Sequence, residues 1–208
     1  MSTIELQNLT KAFGDLIAVN DVSLKVEENE VLCLLGPSGC GKTTTLRMVA
    51  GLEEATSGDI LIANKNVNNL ETRDRNLAMA FQFYALYPSL TVAENLSNPL
   101  HAENLSPEEI KKKIFEIADI LQLREIINRK PHQLAEGEKQ RVAVGRAIIR
   151  DPECFLFDEP LSRLDVQLRE QMRGQIKEVL SNLKKATVIV THDQLEALTM
   201  ATKIAVMR

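Results

Sequence analysis

Residues 36–43 read Gly36-Pro37-Ser38-Gly39-Cys40-Gly41-Lys42-Thr43, a complete G-x-x-x-x-G-K-[ST] phosphate loop. Its glycines let backbone N–H groups curl around a polyphosphate. Lys42 supplies a point charge to the outer phosphates and Thr43 a hydroxyl to Mg²⁺. Such a loop has to join a buried strand to a helix, and the flanks agree. Val31-Leu32-Cys33-Leu34-Leu35 is continuously apolar, as a strand covered on both faces would be. Thr44-Thr45-Leu46-Arg47-Met48-Val49-Ala50 leaves as a helix, whose N-terminal dipole favours anions. Gly36 to Thr44 is therefore the candidate nucleotide-binding run. A Gly-rich turn with a chance lysine would not explain strand, loop and helix together.

The rest of the chain reads as a mixed α/β core around a helical insert. Residues 3–9 and 17–26 alternate apolar and polar side chains, predicting half-buried antiparallel strands. Residues 58–62, 77–81, 154–157, 187–191 and 203–207 read as further strands, and 165–183 and 193–201 as helices. Between 91 and 148 no strand is convincing. Ser106-Pro107-Glu108-Glu109 is a strong helix start: an N-cap serine, proline in the first position and acids in the first turn. That helix is predicted to run to about Leu121, and a second one spans 137–149.

Of 208 residues, 44% are hydrophobic and 26% charged, enough for one substantial core. A net charge of −4 argues against nucleic acid as a partner. Cys33, Cys40 and Cys154 are odd in number and widely spaced, so a disulfide framework is not expected and a reducing compartment is. Met1–Leu9 lacks a basic segment followed by an apolar core, so no secretory leader is expected. No apolar run approaches the ~20 residues that span a bilayer, so membrane work would need a partner.

Asp158-Glu159 follows the apolar run Cys154-Phe155-Leu156-Phe157. Taken alone, two acids at a strand end read as solvent-facing. Beside a phosphate loop they suit phosphoryl transfer to water, which needs a carboxylate to organise the metal and a group to position the water. We assign Asp158 to Mg²⁺, through its water shell, and Glu159 to polarising the attacking water. Gln82, ending a predicted strand, suits contact with both the metal and that water. His192 follows Thr187–Thr191 at a strand's carboxyl end, where ligands bind in α/β sheets, and suits a hydrogen bond to the γ-phosphate. A lone histidine is more often structural, so this role depends on the ensemble.

Phosphate loop, Gln82, Leu134-Ala135-Glu136-Gly137-Glu138, Asp158-Glu159, Leu161-Ser162-Arg163-Leu164-Asp165 and His192 occur in an order and spacing that resembles the ATP-binding cassette (ABC) family over essentially the whole chain. The resemblance implies a P-loop NTPase core with an antiparallel β-subdomain and an inserted α-helical subdomain. Residues 1–82 and 150–208 would form the core, and 83–149 the insert. It implies ATP and Mg²⁺ as ligands, and Phe13 as the aromatic that stacks on adenine. It also implies a head-to-tail dimer with a second ATPase subunit. Each ATP would lie between one phosphate loop and the other subunit's signature sequence, at Ala135 and Gly137, with Asp165 in the loop that bridges the two sites.

The signature departs from the family's usual Leu-Ser-Gly-Gly-Gln at three positions, Ala135, Glu136 and Glu138. Ala135 lacks the hydroxyl that would bond the γ-phosphate, worth about 1.5–3 kcal/mol. Glu136 adds repulsion toward a triphosphate. In a helix's first turn the same acids contribute roughly 0.3–1 kcal/mol through the dipole. The expectation is a subunit that binds ATP through its own loop but offers a weakened signature.

Phe83-Tyr84-Ala85-Leu86-Tyr87-Pro88-Ser89-Leu90-Thr91-Val92 resembles a segment of maltose- and glycerol-phosphate-group importers. In that group the region receives a helix of the membrane permease. Tyr84 and Tyr87 suit such an interface. Equally, they suit packing of the insert onto the core. The resemblance implies sugar cargo, with polyamine or ferric iron as alternatives. It implies an external substrate-binding protein as an indirect partner and a peripheral position on the cytoplasmic face of the membrane. Sugar-group members usually continue into a regulatory β-domain. This sequence stops at Arg208, so the C-terminal regulatory domain is absent from it, either because the protein lacks that module or because the sequence is cut from a longer chain. A degenerate low-activity subunit and a soluble non-transport ABC ATPase are the other readings.

Overall fold

The computed structural model describes residues 2–162 and 164–208, without the side chain of Ala102. Arg163, in the run Leu161–Asp165, lies outside the described residues, as does Met1. In chain order the elements are β1 (Ile4–Phe13), β2 (Leu16–Val26), β3 (Val31–Leu35), α1 (Lys42–Ala50), β4 (Ser57–Ile62), β5 (Lys65–Asn66), β6 (Leu77–Ala80), α2 (Val92–Ser97), α3 (Pro107–Ile120), α4 (Glu136–Ile148), β7 (Cys154–Asp158), α5 (Val166–Leu183), β8 (Ala186–Thr191), α6 (Gln194–Met200) and β9 (Lys203–Val206). Short 3₁₀ turns occupy Thr72–Arg75, Asn98–Ala102, Arg124–Ile126 and Pro131–Gln133. The chain divides into two compact units. The first holds residues 1–79, 152–159 and 176–208, and the second 80–151 and 160–175.

The first unit carries two sheets. One is the ribbon β2-β1-β4-β5, whose printed pairings are antiparallel. The other has the order β6-β7-β8-β3-β9, and β7, β8, β3 and β9 pair in parallel. β3, β7 and β8 are almost wholly buried, which is why their sequences are continuous apolar runs. Leu32, Leu34, Leu156, Val188 and Val190 join Leu46, Met48 and Val49 of α1 and Ile4, Leu6 and Ile60 of the ribbon in one core. β1 runs four residues beyond its expected end, with register shifts against β2 on both sides of Leu9. Asn8 and Asp21 have positive φ there, as β-bulges allow. Gly58 (φ +89°) is required, since a Cβ would stand 2.4 Å from the Asn8 carbonyl oxygen.

The second unit is helical. Ser106 caps α3 through a capping box with Glu109, as its sequence predicts, and Thr91 and Glu94 do the same for α2. Gly145 lets α4 approach α2 and α3. A Cβ there would lie 2.8 Å from Leu96 and 3.2 Å from Ile117 and Leu121. All three cysteines are free. Burial pushes the Cys33 thiol up to about 12 and the Cys154 thiol to about 11. Among the described residues no helix is long and apolar enough to cross a membrane.

Candidate functional site

Parallel register decides which residues meet. Leu35 pairs with Thr191, and Asp158 with Val190, so β3, β8 and β7 end together at their carboxyl edge. That edge is where ligands bind in such sheets. The residues just beyond these three strands are the phosphate loop, His192 and Glu159.

The loop's shape depends on two glycines. Gly41 caps α1 with φ +92°, and a Cβ on it would stand 2.3 Å from the Ala18 carbonyl oxygen of β2. A Cβ on Gly36 would stand 2.3 Å from the Met207 carbonyl oxygen. Lys42 is 5% exposed, and its ammonium donates to the Gly36 and Pro37 carbonyls at 2.7 and 2.8 Å, so the charge sits inside the loop. Pro37, Ser38 and Gly39 are exposed, Cys40 and Thr44 half-buried. The first N–H groups of α1 have no acceptor within the helix and open toward whatever the loop encloses.

Thr43 Oγ1 donates to Asp158 Oδ1 at 3.0 Å. Asp158 is 4% exposed, and burial raises its carboxyl above the usual range, partly offset by the Thr43 hydroxyl. A hydroxyl and a buried carboxylate side by side fit Mg²⁺. That ion takes one or two protein oxygens and completes its shell with water and substrate phosphates.

Glu159 faces another way. Its Oε1 lies 3.1 Å from His192 Nδ1, and its N–H donates to the Val190 carbonyl at 2.9 Å. Its φ is +47°, a left-handed conformation that costs a residue with a side chain about 1–2 kcal/mol. Strain held at one acid between two strand ends points to a site. Behind His192, Thr191 donates to the buried Glu196 at 2.6 Å, and Asp193 caps α6 at the Leu195 and Glu196 N–H groups. Sequence reasoning did not name this support. Asp193 three residues before Glu196 was a readable N-cap signal, but the Thr191–Glu196 bond joins a strand end to a helix turn and has no sequence signature.

Phe13 ends β1, is 47% exposed, and has the Lys11 ammonium 4.7 Å from its ring centroid. Gln82, Ala135, Gly137 and Asp165 belong to the second unit. Ala135 is the N-cap position of α4 and has no side-chain acceptor. Glu138 instead takes the Ala135 N–H at 2.7 Å. Gly137 packs under Leu168, whose Cδ2 would have to move from 2.2 Å if a Cβ were added. Tyr84 and Tyr87 both engage α4. The Tyr84 hydroxyl donates to Glu136, and the Arg146 guanidinium lies 4.8 Å from the Tyr87 ring centroid.

The family pattern described as ABC transporter matches residues 19–162. The chain belongs to the ABC transporter family. Similar curated proteins include the sn-glycerol-3-phosphate import ATP-binding protein UgpC of Ruegeria pomeroyi, 50% identical over all of this chain and 59% of its own length. The trehalose/maltose import ATP-binding protein MalK of Thermococcus litoralis is 49% identical over all of this chain and 57% of its own. The chain thus spans little more than half the length of the curated relatives it matches. A solved dimeric bacterial ABC transporter cassette superposes with a TM-score of 0.88 at 33% identity, covering 98% of this chain and 94% of that one. A dimeric cassette in a post-hydrolysis state, bound to ADP and Pi, superposes at 0.87, with 32% identity and 99% and 94% covered. The fold is that of a P-loop NTPase cassette: a parallel sheet and an antiparallel ribbon, with a helical insert.

Proposed function

We propose that this chain is the ATP-binding and ATP-hydrolysing cassette of a membrane importer, with sugars or sugar phosphates as cargo. One observation carries the enzymatic part. Adjacent acids at the end of β7 take different partners, Asp158 the hydroxyl of Thr43 and Glu159 the ring of His192. This separates a metal side from a water side in one short turn. Lys42 and the loop N–H groups would hold the phosphates, Thr43 and Asp158 the metal, and Phe13 the adenine. Mg²⁺, when bound, neutralises charge on the phosphates as the outer group transfers. Glu159 would take the proton of the attacking water, held in place by His192. Gln82 would serve the metal and the attacking water.

In this reading ATP closes two copies head to tail, each presenting Ala135 and Gly137 to the other's nucleotide. Residues near 83–92 would pass that closure to a permease, and an external binding protein would select the cargo. The importer names of the relatives support this reading, as does the dimeric state of the solved cassettes. The cassette would work at the cytoplasmic face of the membrane, without nucleic acid.

The test is ATP turnover. Glu159→Gln should cut turnover by about 10²–10⁴-fold while ATP still binds, as read by fluorescent-nucleotide titration. Lys42→Ala should weaken binding itself. A Glu159→Gln variant that turns over ATP at the wild-type rate would exclude this assignment.

A further inference from the structure

Glu136 is the acid that the family pattern makes least welcome, and the structure gives each of its carboxylate oxygens a donor. Tyr84 Oη donates to Oε2 at 2.7 Å, and Lys139 Nζ donates to Oε1 at 2.7 Å. The neighbouring Glu138 folds back onto the Ala135 N–H. Both acids of the turn are therefore engaged within their own unit. In front of the turn lies a cleft of about 400 Å³, lined by Ala135, Glu136, Gly137, Glu138, Arg141 and Asp165 among others, so where the two acids point decides its charge.

Tyr84 is itself anchored. Arg146 donates to the Ala85 carbonyl and covers the Tyr87 ring. Asn95, fully buried, bonds the N–H and the carbonyl of Tyr87 and the carbonyls of Leu90 and Thr91. Glu136 and Arg146 are ten residues apart on α4, about 15 Å along its axis. The segment from Tyr84 to Tyr87 is thus fastened toward both ends of the helix, and the Tyr84 hydroxyl meets Glu136 from a fixed base.

We propose that Tyr84 is a positioning residue for the Leu134–Glu138 turn: its hydroxyl, with Lys139, draws the Glu136 carboxylate aside, so that an acid at this place does not bar a polyphosphate from the end of α4. The proposal rests on the reading above, in which this turn closes on a nucleotide held by a second copy. It makes Glu136 a tolerated residue whose cost depends on Tyr84.

A double-mutant cycle tests it. In the full chain carrying Glu159→Gln, ATP-driven dimerisation is followed by light scattering as ATP is titrated. Tyr84→Phe should raise the ATP concentration at half-dimerisation by about tenfold or more, the scale of a lost hydrogen bond to a charge. In a Glu136→Gly background the same change should move it by less than about twofold, because the acid to be restrained is gone. A purely structural role for Tyr84 would move both backgrounds equally, and that result overturns the proposal. So does an unchanged midpoint for Tyr84→Phe in the Glu136 background. A parent chain that binds ATP but never dimerises overturns the reading on which the proposal rests, and the proposal with it.

Discussion

Asp158 shows what it costs to bury a carboxylate at a strand end. Its carboxyl is buried, its pKa is raised first by that burial, and the neighbouring Glu159 charge adds to the rise, while Thr43, Arg47 and Lys42 work against it. A carboxyl whose folded pKa exceeds its unfolded value stabilises the fold below the unfolded pKa. That contribution is lost as pH rises through the folded pKa, so at neutral pH the ionised Asp158 is a liability. Asp158→Asn keeps the shape and removes the charge. Its Tm without nucleotide should exceed that of wild type at neutral pH, with the gap narrowing toward acid. With Mg²⁺-ATP at a hundredfold excess over Kd, wild type should gain about 2.7 kcal/mol, roughly 5–10 °C. The Asn variant should gain little. Thermal melts at two pH values with and without Mg²⁺-ATP read both effects, and an Asn variant less stable than wild type at neutral pH would contradict the burial argument. The pairing of Asp158 and Glu159 was legible in the sequence as two acids after a buried strand. The positive φ of Glu159 was not, because it is imposed by the Val190 carbonyl on a strand remote in sequence.

α1 illustrates how an element is held at both ends by residues that are not its own. Its start is the glycine loop. Its C-terminal carbonyls, Met48 and Val49, accept from the buried Arg75 guanidinium at 2.7 and 3.0 Å, and the same side chain donates to Leu70 at 3.1 Å and Asn68 at 3.4 Å. A cation at a helix C-terminus is favoured by the dipole. Here burial also lowers its pKa, so those carbonyls must repay the lost hydration. Gly51 makes room, since a Cβ would stand 2.6 Å from Arg75 Nε. Arg75→Met should cost about 3 kcal/mol, because four carbonyls lose the guanidinium and the Met48 one is left with the Gly51 N–H at 3.1 Å, lowering Tm by roughly 6–12 °C in calorimetry. A loss under about 1 kcal/mol would mean that water replaces the guanidinium.

Arg75 was not legible, because nothing in Thr72-Arg73-Asp74-Arg75 says which arginine turns inward. The buried strands were legible from unbroken apolar runs, and α3 from its capping box. α2 was not, although Thr91-Val92-Ala93-Glu94 is also a capping box. With six residues it carries too little periodicity to stand out from a loop.

At the scale of the whole molecule, the division of labour follows the two compact units. Lys42, Thr43, Asp158, Glu159 and His192 come from three separate stretches of sequence and meet in the first unit because β3, β7 and β8 pair in parallel. That convergence could be argued from motif order, since each motif follows an apolar strand. The register could not, because it depends on pairings between strands remote in sequence, such as Leu35 with Thr191 and Asp158 with Val190. The signature turn and the segment after Gln82 belong to the second unit and have their own internal ties. Nucleotide bound to one copy should therefore order the two units unequally. Local opening draws on the contacts of each unit, and a ligand protects the backbone that its site fixes. In a Tyr84→Phe, Lys139→Ala chain, chosen to weaken closure by freeing the Glu136 carboxylate, Mg²⁺-ATP should slow amide exchange in residues 36–50, 154–159 and 186–193. About tenfold or more is expected at saturating ligand. Exchange in 93–128 should stay within about twofold. Hydrogen–deuterium exchange with mass spectrometry reads this directly. Protection spread evenly over both units would mean that nucleotide binding alone, without a second copy, is felt throughout the chain.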